Sequence, residues 1–203
     1  PTKETCELAV KFEEHVEKKK LFTRTAANRT QSIIAGGVVQ STLAESESLV
    51  KTWREVALAT AKKVVPAFFE GKQAEKMWVG PVKSLVSSKG QGMQPIHWDS
   101  ARWHHDRDPK SSISILFYGK SCDTTLVPAF SADRFTMDVD VHNQLLMMAR
   151  APLLNKRFFC SASVKAGSML LFRHSVPHAG VTCTSDRRIV LFGMLTQEQE
   201  GLD

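Results

Sequence analysis

The chain has 203 residues, 42% of them hydrophobic and 24% charged, with a net charge of +6. That length suits one domain with a helical extension, and that balance excludes a disordered or fibrous chain. No apolar run approaches the roughly 20 residues that cross a bilayer, which excludes a membrane-spanning helix. The segment PTKETCELAV at the start lacks the apolar stretch of a secretion signal. Cys6, Cys122, Cys160 and Cys183 are scattered and without zinc-ribbon spacing. Reduced thiols in a cytoplasmic protein, with the nucleus left open, are the expectation. The basic balance leaves nucleic acid open as a partner. The densest cationic run, Lys18-Lys19-Lys20, stands near a helix end, where positive charge suits the helix dipole in any case.

Residues 5 to 22 read as a helix, because Leu8, Phe12 and Val16 recur every four positions among charges. His15 reads as a solvated residue of that helix. Gly36-Gly37 breaks the chain. Thr42 and Glu45 form a capping-box pattern for a second helix, whose face is Leu49, Trp53, Val56, Thr60 and Val64, ending near Pro66. After residue 75 the segments become short and rich in β-branched and aromatic residues. The predicted strands are Met77–Val79, Ser84–Ser87, Ile113–Tyr118, Thr125–Val127, Phe158–Val164, Ser168–Arg173 and Arg188–Leu195, with a helix near His142–Arg150. This order predicts an α+β chain: a single domain over 1–203, helical over 1–74, with a β core over 75–203 that is a barrel or a two-sheet jelly roll.

The chemistry concentrates in three segments. In Gln94-Pro95-Ile96-His97-Trp98-Asp99, residues two apart on an extended chain point the same way, so His97 and Asp99 can face one ion. In Val176-Pro177-His178-Ala179-Gly180, His178 follows a predicted strand and can supply a third ligand. Two imidazoles and a carboxylate on one face leave coordination positions open, as in non-heme iron(II) oxygenases. In Asp186-Arg187-Arg188-Ile189-Val190, an arginine opens an apolar strand ten residues after His178. Such an arginine is costly to bury unless it meets an anion, and its fork suits a carboxylate. Alternation turns only one of Arg187 and Arg188 inward.

Together, His97-Trp98-Asp99, His178 and Arg188 resemble the H-x-D…H…R pattern of the Fe(II)/2-oxoglutarate-dependent dioxygenases. The Gln94-Pro95-Ile96 lead, the Trp103-His104 pair and Asp123–Pro128 are most similar to the phytanoyl-CoA/ectoine hydroxylase branch. The likeness covers roughly residues 75 to 196. It implies a double-stranded β-helix core with N-terminal helices packed against it, and Fe(II) held by His97, Asp99 and His178. It also implies 2-oxoglutarate held through its distal carboxylate by Arg188, and O₂ as co-reactant. A second polar contact to 2-oxoglutarate is usual in the family, and Tyr118, Gln94 and Lys83 are the candidates. Trp98, Arg102, Trp103 and His105 are candidates for touching substrate. His104-His105-Asp106 offers an alternative H-x-D register, which the preceding Gln94-Pro95-Ile96 disfavours.

The implied activity is hydroxylation, or demethylation through hydroxylation, of a C–H bond, first of all in a small molecule. Oxidation of a nucleobase or a protein side chain by the same chemistry is the alternative. A cosubstrate-free cupin-type metal enzyme and a non-catalytic binding module are the competing readings. Oligomeric state is not legible in the sequence.

Overall fold

The computed structural model describes residues 2–22, 31–34, 37–44, 46–70, 76–94, 97, 112–119, 122–128, 159–173, 176 and 178–197. Helix α1 spans Lys3–Lys18 and begins in a capping box in which Thr5 N–H donates to Thr2 Oγ1 at 3.2 Å. Leu8, Phe12 and Val16 are buried along one face, as their spacing predicts. Two strands that the sequence reading missed follow: β1 (Gln31–Ile34) and β2 (Val38–Thr42), paired with each other across Gly37. Gly37 takes φ +77, a conformation glycine adopts without penalty.

Thr42 therefore ends a strand and does not cap a helix. Helix α2 spans Ser48–Val64 with Glu47 at its N-cap. The run Val38-Val39 favours a pleated surface, and its pairing with the strand over residues 83–88 outweighs the capping pattern. The buried positions of α2 are Val50, Trp53, Ala57 and Ala61, so its inner face is rotated from the predicted one. Val64 is exposed, and a 3-10 turn over Pro66–Phe69 closes the helix.

The remaining strands are β3 (Met77–Val79), β4 (Lys83–Ser88), β5 (Ile113–Tyr118), β6 (Cys122–Pro128), β7 (Phe159–Val164), β8 (Met169–Arg173), β9 (Ala179–Gly180) and β10 (Arg187–Gln197). All seven predicted strands are present, with ends differing by a few residues. The short β9 is an addition. The predicted helix near His142–Arg150 lies outside the described residues. The stretch read as helical, 1–74, thus also contributes β1 and β2 to the sheet.

All pairings are antiparallel. One sheet runs β1-β2-β4-β10-β5-β8, with β3 beside the end of β10, and a second runs β7-β6-β9. Both helices cover the outer face of the larger sheet. There Leu8, Phe12, Val16, Val50, Trp53, Ala57 and Ala61 pack with Val86, Ile113, Ile115, Phe117, Ile189, Leu191 and Leu195. Trp53 lies against Gly193, where a β-carbon would stand 2.6 Å from the indole. On the opposite face, Leu116, Tyr118 and Val190 share an apolar cluster with Val164 of the smaller sheet, so that face is the inner one. Among the described residues no helix is long and apolar enough to cross a membrane.

Candidate active site

Strand β10 divides its side chains between the two faces. Ile189, Leu191 and Leu195 turn to the helices, while Val190 and Phe192 turn inward. The same alternation separates the two arginines. Arg187 reaches α1, where its guanidinium pairs with Glu17 and lies 3.9 Å from the centre of the Phe22 ring. Arg188 turns the other way and is 6% exposed. Its Nη1 donates to the Val181 carbonyl at 2.8 Å and its Nη2 to Ser87 Oγ at 3.2 Å. No carboxylate among the described residues pairs with it. A guanidinium this buried, whose partners among the described residues are neutral, is set up to receive an anion.

His97 and His178 meet although 81 positions separate them in the chain. They form an isolated antiparallel bridge in which each backbone N–H donates to the other's carbonyl at 2.9 Å. The ring centroids are 4.6 Å apart. Two nitrogens bound to one ion, each at about 2.0–2.1 Å, require neighbouring rings of this kind. His178 is buried, and its Nδ1 lies 3.1 Å from the Val176 carbonyl. A carbonyl only accepts, so Nδ1 carries the proton, and in the neutral form of the ring the lone pair then falls on Nε2. That is the tautomer a metal ligand needs, with the carbonyl acting as the orienting partner. Phe172 of β8 flanks the ring at a centroid distance of 4.6 Å. The imidazole pair thus fits a metal ion. Asp99 lies outside the described residues, and among those described no three His, Cys, Asp or Glu side chains gather at one point.

Gln94 ties the two arms together. Its backbone N–H donates to the Gly180 carbonyl at 2.9 Å, and its side-chain Oε1 accepts from Gly180 N–H at 3.0 Å. A β-carbon at Gly180 would stand 2.7 Å from Gln94 Oε1 and 3.1 Å from Arg188 Nη2. A side chain at position 180 would displace the Gln94 amide and crowd the guanidinium. Gln94 Oε1 is thereby engaged by the chain's own backbone.

Tyr118 is buried in the inner apolar cluster beside Val190. Lys83 faces the same side at the register of Phe192, half-buried, with Nζ 6.0 Å from that ring. Trp98, Arg102, Trp103, His105 and the alternative pair His104 and Asp106 lie outside the described residues. Ser87 and Gly180 went unassigned in the sequence. Ser87 carries no motif, and its part emerges only from the pairing of Arg188 with Ser87 across β10 and β4. Gly180 stands inside the Val176–Gly180 segment, and a glycine two residues beyond His178 was the available signal.

No protein-family model matches the sequence. No curated protein matches it either. Solved structures do. AviO1 from Streptomyces viridochromogenes Tue57 superposes with a TM-score of 0.68 at 10% identity, covering 100% of this chain and 88% of that one. HygX from Streptomyces hygroscopicus, with nickel, 2-oxoglutarate and hygromycin B bound, gives 0.60 at 12% identity, covering 97% and 79%. SnoK, a non-heme alpha-ketoglutarate-dependent carbocyclase from nogalamycin biosynthesis, gives 0.65 at 11%, covering 97% and 76%. The chain shares the fold of these three proteins. The phytanoyl-CoA/ectoine hydroxylase branch is not singled out by these likenesses.

Proposed function

We propose that this chain is an Fe(II)- and 2-oxoglutarate-dependent oxygenase built on a double-stranded β-helix, acting on a C–H bond of a small molecule. Its metal ligands are His97, Asp99 and His178. The observation that carries the reading is Arg188: a buried guanidinium with two neutral partners and no carboxylate among the described residues, lying against the same short strand that follows His178. An imidazole pair and an anion receptor on adjoining backbone suit a ligand that chelates a metal at one end and carries a carboxylate at the other. 2-Oxoglutarate is such a ligand, and HygX binds it together with nickel.

Each residue then has a role. The Val176 carbonyl fixes the His178 tautomer, and the backbone bridge holds the two rings side by side. Arg188 receives the distal carboxylate through the N–H groups not given to Val181 and Ser87. The apolar inner face, with Leu116, Val190 and Phe172, limits water around the reacting groups. When bound, the metal supplies the centre at which O₂ is reduced as the 2-oxo acid loses CO₂. HygX was solved with hygromycin B, and SnoK belongs to nogalamycin biosynthesis. Both favour a small-molecule substrate over a nucleobase or a protein side chain.

The test is anaerobic titration of metal-free protein with Fe(II) and then 2-oxoglutarate, following the weak visible absorption of the chelate. The expected result is a band in the wild type that is lost in His178→Ala and weakened in Arg188→Met. A band retained in His178→Ala overturns the ligand assignment. No band in folded wild-type protein moves the site to a cosubstrate-free metal enzyme or a binding module.

A further inference from the structure

An arginine that selects one chain length of acid must be held at one distance from the metal. The geometry points to Ser87 and Gln94 as the positioning residues that set this distance, and so as determinants of cosubstrate length. This inference rests on the function proposed above. Arg188 is held on two edges by different nitrogens. Nη1 donates to the Val181 carbonyl at 2.8 Å, and Nη2 donates to Ser87 Oγ at 3.2 Å. Ser87 is itself 3% exposed and pairs directly with Arg188 across the sheet, so neither residue can turn without leaving the ladder.

The guanidinium lies close to β9. Arg188 Nη2 and Gln94 Oε1 both lie within 3.1 Å of the point a Gly180 β-carbon would occupy. Gln94 holds β9 by two bonds, at 2.9 Å and 3.0 Å, and His178 precedes Gly180 on the same strand segment by two residues. Gln94, through its backbone and its side-chain amide together, therefore fixes the backbone that carries the imidazole and that the guanidinium rests against. Ser87 fixes the guanidinium from the other side. Neither side chain has to touch the cosubstrate to define the span between the metal and the arginine. Glutamate at position 94 would keep an acceptor for Gly180 N–H. It would also bring a carboxylate within reach of Arg188, competing with the ligand for the same fork.

The experiment is an anaerobic titration of Fe(II)-loaded protein with three 2-oxo diacids: oxaloacetate, 2-oxoglutarate and 2-oxoadipate. 2-Oxobutyrate, which lacks the distal carboxylate, is the fourth probe. Ser87→Ala is expected to weaken 2-oxoglutarate roughly tenfold and to narrow its preference over 2-oxoadipate, with Fe(II) affinity unchanged. Ser87→Thr, which keeps a hydroxyl, restores both. Gln94→Glu is expected to lose more 2-oxoglutarate affinity than Ser87→Ala while 2-oxobutyrate binds as in wild type. Wild-type affinity and length preference in both Ser87→Ala and Gln94→Glu overturn the inference. So does an equal loss for all four acids, which marks a merely structural role. A wild type that forms no chelate with any of the acids overturns the proposed function itself, and the inference with it.

Discussion

The two faces of the larger sheet differ in what their side chains are for. The outer face is apolar and sealed by α1 and α2, with Trp53, Phe12, Ile115, Phe117 and Leu191 fully buried. The inner face sets Ser87, Arg188 and Lys83 among Leu116, Tyr118 and Val190. One strand, β10, serves both, because successive residues point to opposite sides. Stability and chemistry are thus divided along a single strand with a period of two. Substitutions on one face should move thermal stability, and substitutions on the other should move ligand response.

The largest effect is expected on the outer face. Trp53→Ala opens a cavity against Gly193 and costs about 3–5 kcal/mol, a large share of the roughly 5–15 kcal/mol that holds an ordinary domain together. Chemical denaturation measures it, and a loss below about 1 kcal/mol would mean that the helices do not carry the core. Gly193→Ala attacks the same contact from the strand side, where the new carbon meets the indole at 2.6 Å. Overpacking there costs about 1–3 kcal/mol.

Arg188→Met sharpens the contrast by reversing the sign. A thioether of similar length replaces a buried charge that has no carboxylate partner among the described residues, so the ligand-free protein should melt at the same temperature or higher. Wild type loaded with metal and with 2-oxoglutarate at about a hundred times its Kd gains about 2.7 kcal/mol by mass action, and the variant gains little. A melting comparison with and without 2-oxoglutarate decides it. A lower melting point for the free variant would mean that Arg188 is a structural strut.

Most of the β core was legible because its signal is local: short apolar runs bounded by turn residues mark Ile113–Tyr118 and Arg188–Leu195 without knowledge of their partners. That Arg187 and Arg188 turn to opposite faces was legible too, from strand alternation. Thr42 misled because the pattern Thr-x-x-Glu fits a capping box equally well at the end of a strand. There the pairing of β2 with β4, invisible in sequence, decided. The face of α2 was misread for a related reason. Ala57 and Ala61 are small enough to let Trp53 approach Gly193, and a search for large apolar residues passes over them. Ser87 was out of reach altogether, because only the register across two strands brings it to Arg188.

The smallest expected effect lies at the outer edge, where His15 is not the solvated residue its charged neighbours suggested. Its side chain is 16% exposed and its Nε2 lies 2.9 Å from Glu47 Oε2, while Lys19 Nζ reaches Glu47 Oε1 at 3.0 Å. The imidazole nitrogen and the carboxylate are close but not aligned as a hydrogen bond. Burial pushes the His15 pKa below its ordinary 6.5; Glu47 opposes the shift, and Lys19 and Lys18 add to it. A base whose folded pKa is depressed binds fewer protons folded than unfolded, so stability falls as pH drops below 6.5 and levels off under the folded pKa. Replacing His15 by Gln removes that titration and leaves Lys19 its partner. Melting temperatures of both proteins between about pH 7.5 and pH 5, above the main carboxylate range, should converge as pH falls, with wild type losing more. Parallel curves would mean that this contact between α1 and the start of α2 tolerates a charged imidazole, and that the outer face is insensitive to protonation at its edge as well as in its core.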